Sequence, residues 1–150
     1  MNKREKHLRQ FFDAYAARFN AALSGEDPDT DATVAAFADC FVEASPLGIQ
    51  CSKNDEQFRK TIPEGYAFYK SIGTQRMEIS GSNITLLDEW HAMIQVHWHA
   101  VYRKKEDPEL YIDFDVWYLV QELQEKIRIF AYITGDEQKV LKDKGLVPAS

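Results

Sequence analysis

Two histidines two apart, His97 and His99, are followed along the chain by two aspartates two apart, Asp113 and Asp115. Alternate residues of a strand point to the same side, so if both segments belong to one hairpin the four side chains share a face. Two imidazoles and a carboxylate are a ligand set for a divalent transition metal. The same four groups on the outside of a sheet are an ordinary polar surface. We favour the second reading, because the opposite face of the hairpin is the one apolar enough to receive helices. Trp117 on this polar face turns the expectation from bare surface to a contact between two copies of the chain. We therefore expect no metal and no other cofactor, and a homodimer with Gln95, His97, Asp113, Asp115 or Trp117 at or near the contact.

A second group of candidates is aromatic. Trp98, Tyr102, Phe114, Tyr118, Phe130 and Tyr132 fall at strand positions of the apolar parity, and Tyr15, Phe19 and Tyr66 fall on helical stripes. This is more aromatic surface than a core needs, and buried tyrosine hydroxyls require partners. Rings near the open end of a bent sheet are expected to line a ligand pocket, while the others pack closed. Tyr15, Phe19, Trp98, Tyr118 and Tyr132 form its expected centre. Glu43 and Asp39 offer carboxylates nearby, although we favour a solvated helix end and edge strand as the account of both. General acid/base chemistry, if the protein performs any, falls first to Tyr15 and Glu43.

These groups are positioned by residues 90–121, where apolar and polar residues alternate on both sides of a Lys/Asp/Pro turn. Trp90, Ala92, Ile94, Val96, Trp98, Ala100 and Tyr102 share one face, as do Ile112, Phe114, Val116, Tyr118 and Val120 on the return strand. A one-residue slip would bury the acids, so apolar must meet apolar across the hairpin. Before it, Leu8, Phe11, Phe12, Tyr15, Phe19 and Leu23 predict a helix over residues 3–23. A short second helix, capped by Thr30 or Asp31, should carry Val34 and Phe37, with Phe41 at its margin, and end near Cys40. A strand, turn and return span residues 41–51. A third helix, capped by Ser52 or Asn54, runs to about Ser71 with Phe58, Ile62, Tyr66 and Tyr69 inward, kinked or split at Pro63. Residues 74–87 predict a strand with a bulge at Gly81. A last strand over residues 126–134 and a terminal helix over residues 136–144, stopped by Gly145, complete the chain. Helices first and antiparallel strands second give an α+β fold, with three helices on the concave face of a bent sheet.

Composition narrows the partners. At 150 residues, 45% hydrophobic, the chain suits one domain over residues 1–150. Its net charge of −6 and lack of a large basic cluster argue against nucleic acid and anionic membranes. No apolar run approaches a membrane span and the first residues do not read as a secretion signal, so a cytoplasmic location is expected. Cys40 and Cys51 do not form a paired-cysteine motif and are expected to be buried thiols.

The order of elements, the stretch Phe37-Ala38-Asp39-Cys40-Phe41 before Pro46-x-Gly48, and the segments 96–100 and 126–132 resemble the nuclear transport factor 2-like superfamily, in its polyketide-cyclase-like (SnoaL-like) branch. The resemblance spans roughly residues 5–143. It implies a cone-shaped, mainly antiparallel sheet wrapped over three helices (an NTF2-like, cystatin-like fold), a pocket at the open end, and frequent dimerisation through the outer sheet face. Fold alone does not fix activity in such a group. In its ketosteroid isomerases an Asp base precedes a Pro-x-Gly turn and works with a Tyr and a protonated Asp. Here Ser45 stands before Pro46, although Tyr15 matches the tyrosine of the first helix. Its epoxide hydrolases use an Arg and two Asp on inner strands, where the last strand here offers Phe130, Tyr132 and Thr134.

Three functions stay open: a lyase, isomerase or hydrolase acting on an apolar ring compound, a non-catalytic binder of such a molecule, and a dimeric association module.

Overall fold

The computed structural model describes residues 2–148. Helix α1 (Lys3–Leu23) begins where the Asn2 side chain accepts from the Glu5 N–H at 2.7 Å, and it ends at Ser24 before Gly25, whose φ of +99° suits a residue without Cβ. Leu8, Phe12 and Ala16, four apart, are buried on the face turned to the sheet. Helix α2 (Thr30–Ala35) follows, then β1 (Phe37–Ser45), β2 (Gly48–Lys53) and helix α3 (Glu56–Ser71). Strands β3 (Thr74–Leu86), β4 (His91–Tyr102), β5 (Leu110–Leu123) and β6 (Lys126–Ile133) lead to helix α4 (Glu137–Asp143).

The strands form one curled, unclosed sheet in the order β2-β1-β6-β5-β4-β3. Every neighbouring pair is antiparallel except β1 with β6. The hairpin register places Ile94 opposite Tyr118, Val96 opposite Val116 and Trp98 opposite Phe114, so the apolar faces of β4 and β5 coincide. Val96, Val120 and Ala100 are fully buried beneath the helices. β3 carries its bulge between Ile79 and Gly81. Among the described residues no helix is long and apolar enough to cross a membrane.

Four local expectations need correction. Helix α2 is capped by Asp29, which accepts from Ala32 N–H at 3.1 Å, and it stops at Ala35. Phe37 and Phe41 lie in β1, with their ring centroids 4.9 Å apart and Phe58 against both. A spacing of four residues keeps two side chains on one side of a helix and equally on one side of a strand, which is why the pattern misled. Helix α3 is capped by Asp55, which accepts from Phe58 N–H at 3.0 Å, and it runs through Pro63, which sits on the exposed side. Cys40 and Cys51 are exposed, on the two outermost strands at that edge, where no helix covers them.

Two polar contacts seat α1 on the sheet. The Asn20 side chain accepts from Met77 N–H at 2.7 Å and donates to Met77 C=O at 2.9 Å. At the other end Arg4 donates to the Glu122 carboxylate at 2.7 Å and to the carbonyls of Asp88 and His91 at 2.6 and 3.0 Å. These two anchors fix the height of Tyr15 and Phe19 above the sheet.

Candidate functional site: an aromatic cavity at the mouth of the sheet

Between the C-terminal half of α1, the end of α3, α4 and the inner face of β4–β6 lies a cavity of about 410 Å³. Its floor is Trp98, Phe114, Val116 and Tyr118 from the hairpin, its walls include Tyr15, Phe19 and Tyr132, and Tyr69, Tyr102 and Glu137 stand together at one side. The hairpin's alternation aims Trp98 and Tyr118 inward, and their polar tips satisfy each other: Trp98 Nε1–H donates to the Tyr118 hydroxyl at 3.2 Å. Tyr15 reaches towards both, with its ring centroid 6.4 Å from that of Trp98 and 6.5 Å from that of Tyr118.

Burial controls the electrostatics. Loss of water, aided by the neighbouring Tyr66 and opposed by Arg18, pushes the Tyr15 phenol up to about 12. Burial likewise raises Tyr118 well above an ordinary tyrosine. Burial and the Glu137 charge take Tyr102 to about 12. Tyr69 and Tyr132 rise further, each by burial and by donating to a carboxylate, Glu137 and Glu43 respectively. All five phenols are therefore neutral donors at physiological pH.

The carboxylate on the cavity wall is one that the sequence did not single out. Glu137 opens α4, and its side chain folds inward so that the Tyr69 hydroxyl donates to it at 2.6 and 2.7 Å from the two oxygens. Desolvation there raises the carboxyl above its ordinary value, and the Tyr69 hydrogen bond pulls it partly back. Nothing in the local sequence Asp136-Glu137-Gln138 separates this acid from an ordinary first-turn glutamate. Only the approach of α3 to α4 does so.

Of the residues expected to bind a ligand, Tyr15, Phe19, Trp98, Tyr102, Phe114, Tyr118 and Tyr132 line the cavity. Phe130 does not. The pairing of β5 with β6 shifts between Leu119 and Val120, so that Val120 meets Ile129 and Leu119 meets Ala131, leaving Phe130 as the extra residue. Its ring meets His91 edge-on at 6.0 Å, on the outer side of the sheet. Tyr66 packs behind Phe19, with centroids 5.1 Å apart, and is not among the lining residues. Glu43 accepts from the Tyr132 hydroxyl but lies on a separate groove along the β1–β2 hairpin, with Tyr132 and Thr134 forming the partition between the two. Tyr15 and Glu43 therefore do not converge on one site. Asp39 is exposed on β1.

On the outer face His97 pairs with Asp115 at 2.7 Å and His99 with Asp113 at 2.6 Å, directly across the hairpin. The His97 hydrogen bond, helped by Gln95, which donates to the other Asp115 oxygen at 2.9 Å, holds Asp115 below the usual carboxylate range. Each imidazole faces its own aspartate, and among the described residues no three histidine, cysteine or acidic side chains converge as a metal site.

A curled sheet of this order, cupped over helices with a cavity in its mouth, defines the NTF2-like class of α+β domains. Residues 4–137 match the family described as NTF2-like protein (DUF6841), and the chain belongs to that family. No curated protein matches it. An NTF2-like protein with a cystatin-like fold from Novosphingobium aromaticivorans superposes with a TM-score of 0.67 at 9% identity, covering 95% of this chain and 88% of that one. A candidate scytalone dehydratase from the same organism gives 0.64 at 13% identity over 87% and 81% of the two chains. An NTF2-like protein of unknown function from Shewanella oneidensis gives 0.63 at 15% identity over 88% and 98%. At these identities the likeness is one of fold.

Proposed function

We propose that this protein binds a small, largely apolar ring compound in the cavity between α1, α4 and the hairpin. The observation that carries the reading is the cavity itself: about 410 Å³, within the range that holds drug-sized ligands, and walled by rings whose hydroxyls are neutral. Apolar burial at ~25 cal/mol per Å² brings micromolar affinity within reach after association costs. The candidate scytalone dehydratase among the structural relatives supports a small-molecule role at the level of fold. The proposed role is binding, and the pair first expected to do acid/base chemistry, Glu43 and Tyr15, face different spaces. Calorimetry with neutral naphthalene and indole derivatives tests the reading. Binding should show a negative heat-capacity change and should be abolished by Val116→Trp, which fills the floor. Equal binding by the filled variant would refute it.

A second proposal concerns assembly. The outer face of β4 and β5 carries the two His–Asp pairs together with half-buried Met93, Trp117 and Leu119, a mixture of apolar and satisfied polar groups suited to a partner surface. We propose that two copies pair through it. Sedimentation equilibrium should then give twice the 17.3 kDa chain mass, and a Trp117→Arg variant should sediment as the monomer.

A further inference from the structure

Three acids border the cavity, Asp113, Asp136 and Glu137, with no lysine, arginine or histidine among the lining residues, and the Asp113 side chain turns to the outer face of the sheet. Two of the three are already engaged. Asp113 accepts from His99 Nδ1 at 2.6 Å when the imidazole carries its proton there, and Asp136 accepts from Lys139 N–H at 3.1 Å as the cap of α4. Glu137 is different. Among the described residues its carboxylate accepts only the single hydroxyl proton of Tyr69 and enters no ion pair. A carboxylate has about four acceptor sites, so most of its capacity is unused. Tyr69 donates to it and Tyr102 lies close enough to feel its charge, with both rings in the cavity lining, and aromatic faces attract cations.

We infer that the ligand carries a cationic nitrogen, as an amine or quaternary ammonium, held between the Glu137 carboxylate and the rings of Tyr69 and Tyr102, with its apolar body against Trp98 and Tyr118. This inference rests on the cavity being a ligand site and adds the charge of what fills it. The cation would restore to Glu137 the stabilisation that it gives up on leaving water, and the neutral phenols bring no competing anion. An anionic ring compound would instead face the Glu137 carboxylate with no basic lining residue to meet it.

Three probes of one shape separate the possibilities: 1-naphthylmethylamine, 1-naphthylmethanol and 1-naphthoate, titrated calorimetrically into the full chain and into Glu137→Gln. The amine should bind about tenfold more tightly than the alcohol, the size of one partly desolvated cation contact, and naphthoate should bind most weakly. Glu137→Gln should remove the preference for the amine, and continued binding of the alcohol by the variant certifies its fold. Added salt should narrow the gap. Equal affinity for amine and alcohol, or a preference for the amine that survives Glu137→Gln, overturns the inference while leaving the cavity reading intact. Failure of all three probes to bind overturns both.

Discussion

The hydroxyl of Tyr69, on the last turn of α3, donates to the carboxylate of Glu137, on the first turn of α4, at 2.6 and 2.7 Å from its two oxygens. Two elements 68 residues apart are thereby tied across the mouth of the cavity. Tyr69→Phe removes a hydrogen bond to a charged group at a partly solvated position, which should cost about 1 kcal/mol. It should also move the Glu137 carboxyl further up, because the bond that lowers it is gone. Hydrogen exchange should quicken in the amides of α4 while β4 and β5 keep their protection. Unchanged protection of α4 would mean that Leu141 alone holds the helix down.

Alkaline stability follows from the buried phenols. An unfolded tyrosine ionises near pH 10, whereas burial takes Tyr15 and Tyr102 in the folded chain to about 12. The folded pKa lies above the unfolded one, so the stability linked to these groups is complete below about pH 10 and is lost as pH rises towards 12. Urea midpoints should hold steady to about pH 9.5 and then fall. Phenolate absorbance at pH 11 should report fewer than the seven tyrosines of the chain until urea is added. Seven phenolates in the native protein at that pH would contradict the buried cavity wall.

Docking of α1 depends on Asn20, which both accepts from and donates to the backbone of Met77. Asn20→Ala leaves a β3 N–H and C=O unpaired beneath the helix, a loss of about 1–3 kcal/mol. The urea midpoint should fall with no change in the slope of the transition. A change within experimental error would show that water replaces the side chain without cost.

Much of the fold is written in periodicity. The alternation through residues 90–121 sets the parity of the hairpin register, because only one parity keeps Asp113 and Asp115 out of the core. Leu8, Phe12 and Ala16 mark α1 for the same kind of reason. Where one spacing satisfies two periods the sequence is ambiguous, and Phe37 with Phe41 is the case in point. Phe130 illustrates a different limit: a bulge in β6 reverses the direction of one side chain and has no signature in residues 126–133. The site divides along the same line. Rings at strand positions of known parity, such as Trp98 and Tyr118, are legible. Glu137 depends on where a short terminal helix comes to rest, and no local pattern encodes that.

In the proposed complex a ring compound enters the cavity and lies against Trp98. The chain has three tryptophans, Trp90, Trp98 and Trp117. Trp98 is buried on the cavity floor, whereas Trp90 is half exposed before β4 and Trp117 lies on the outer sheet face. Nitrogen-15 spectra resolve one indole N–H signal from each, and titration with 1-naphthylmethanol is the most direct measurement. The Trp98 signal should shift saturably, through its hydrogen bond to Tyr118, while those of Trp90 and Trp117 stay in place. A titration that moves Trp117 or Trp90 and leaves Trp98 untouched would contradict the proposed complex.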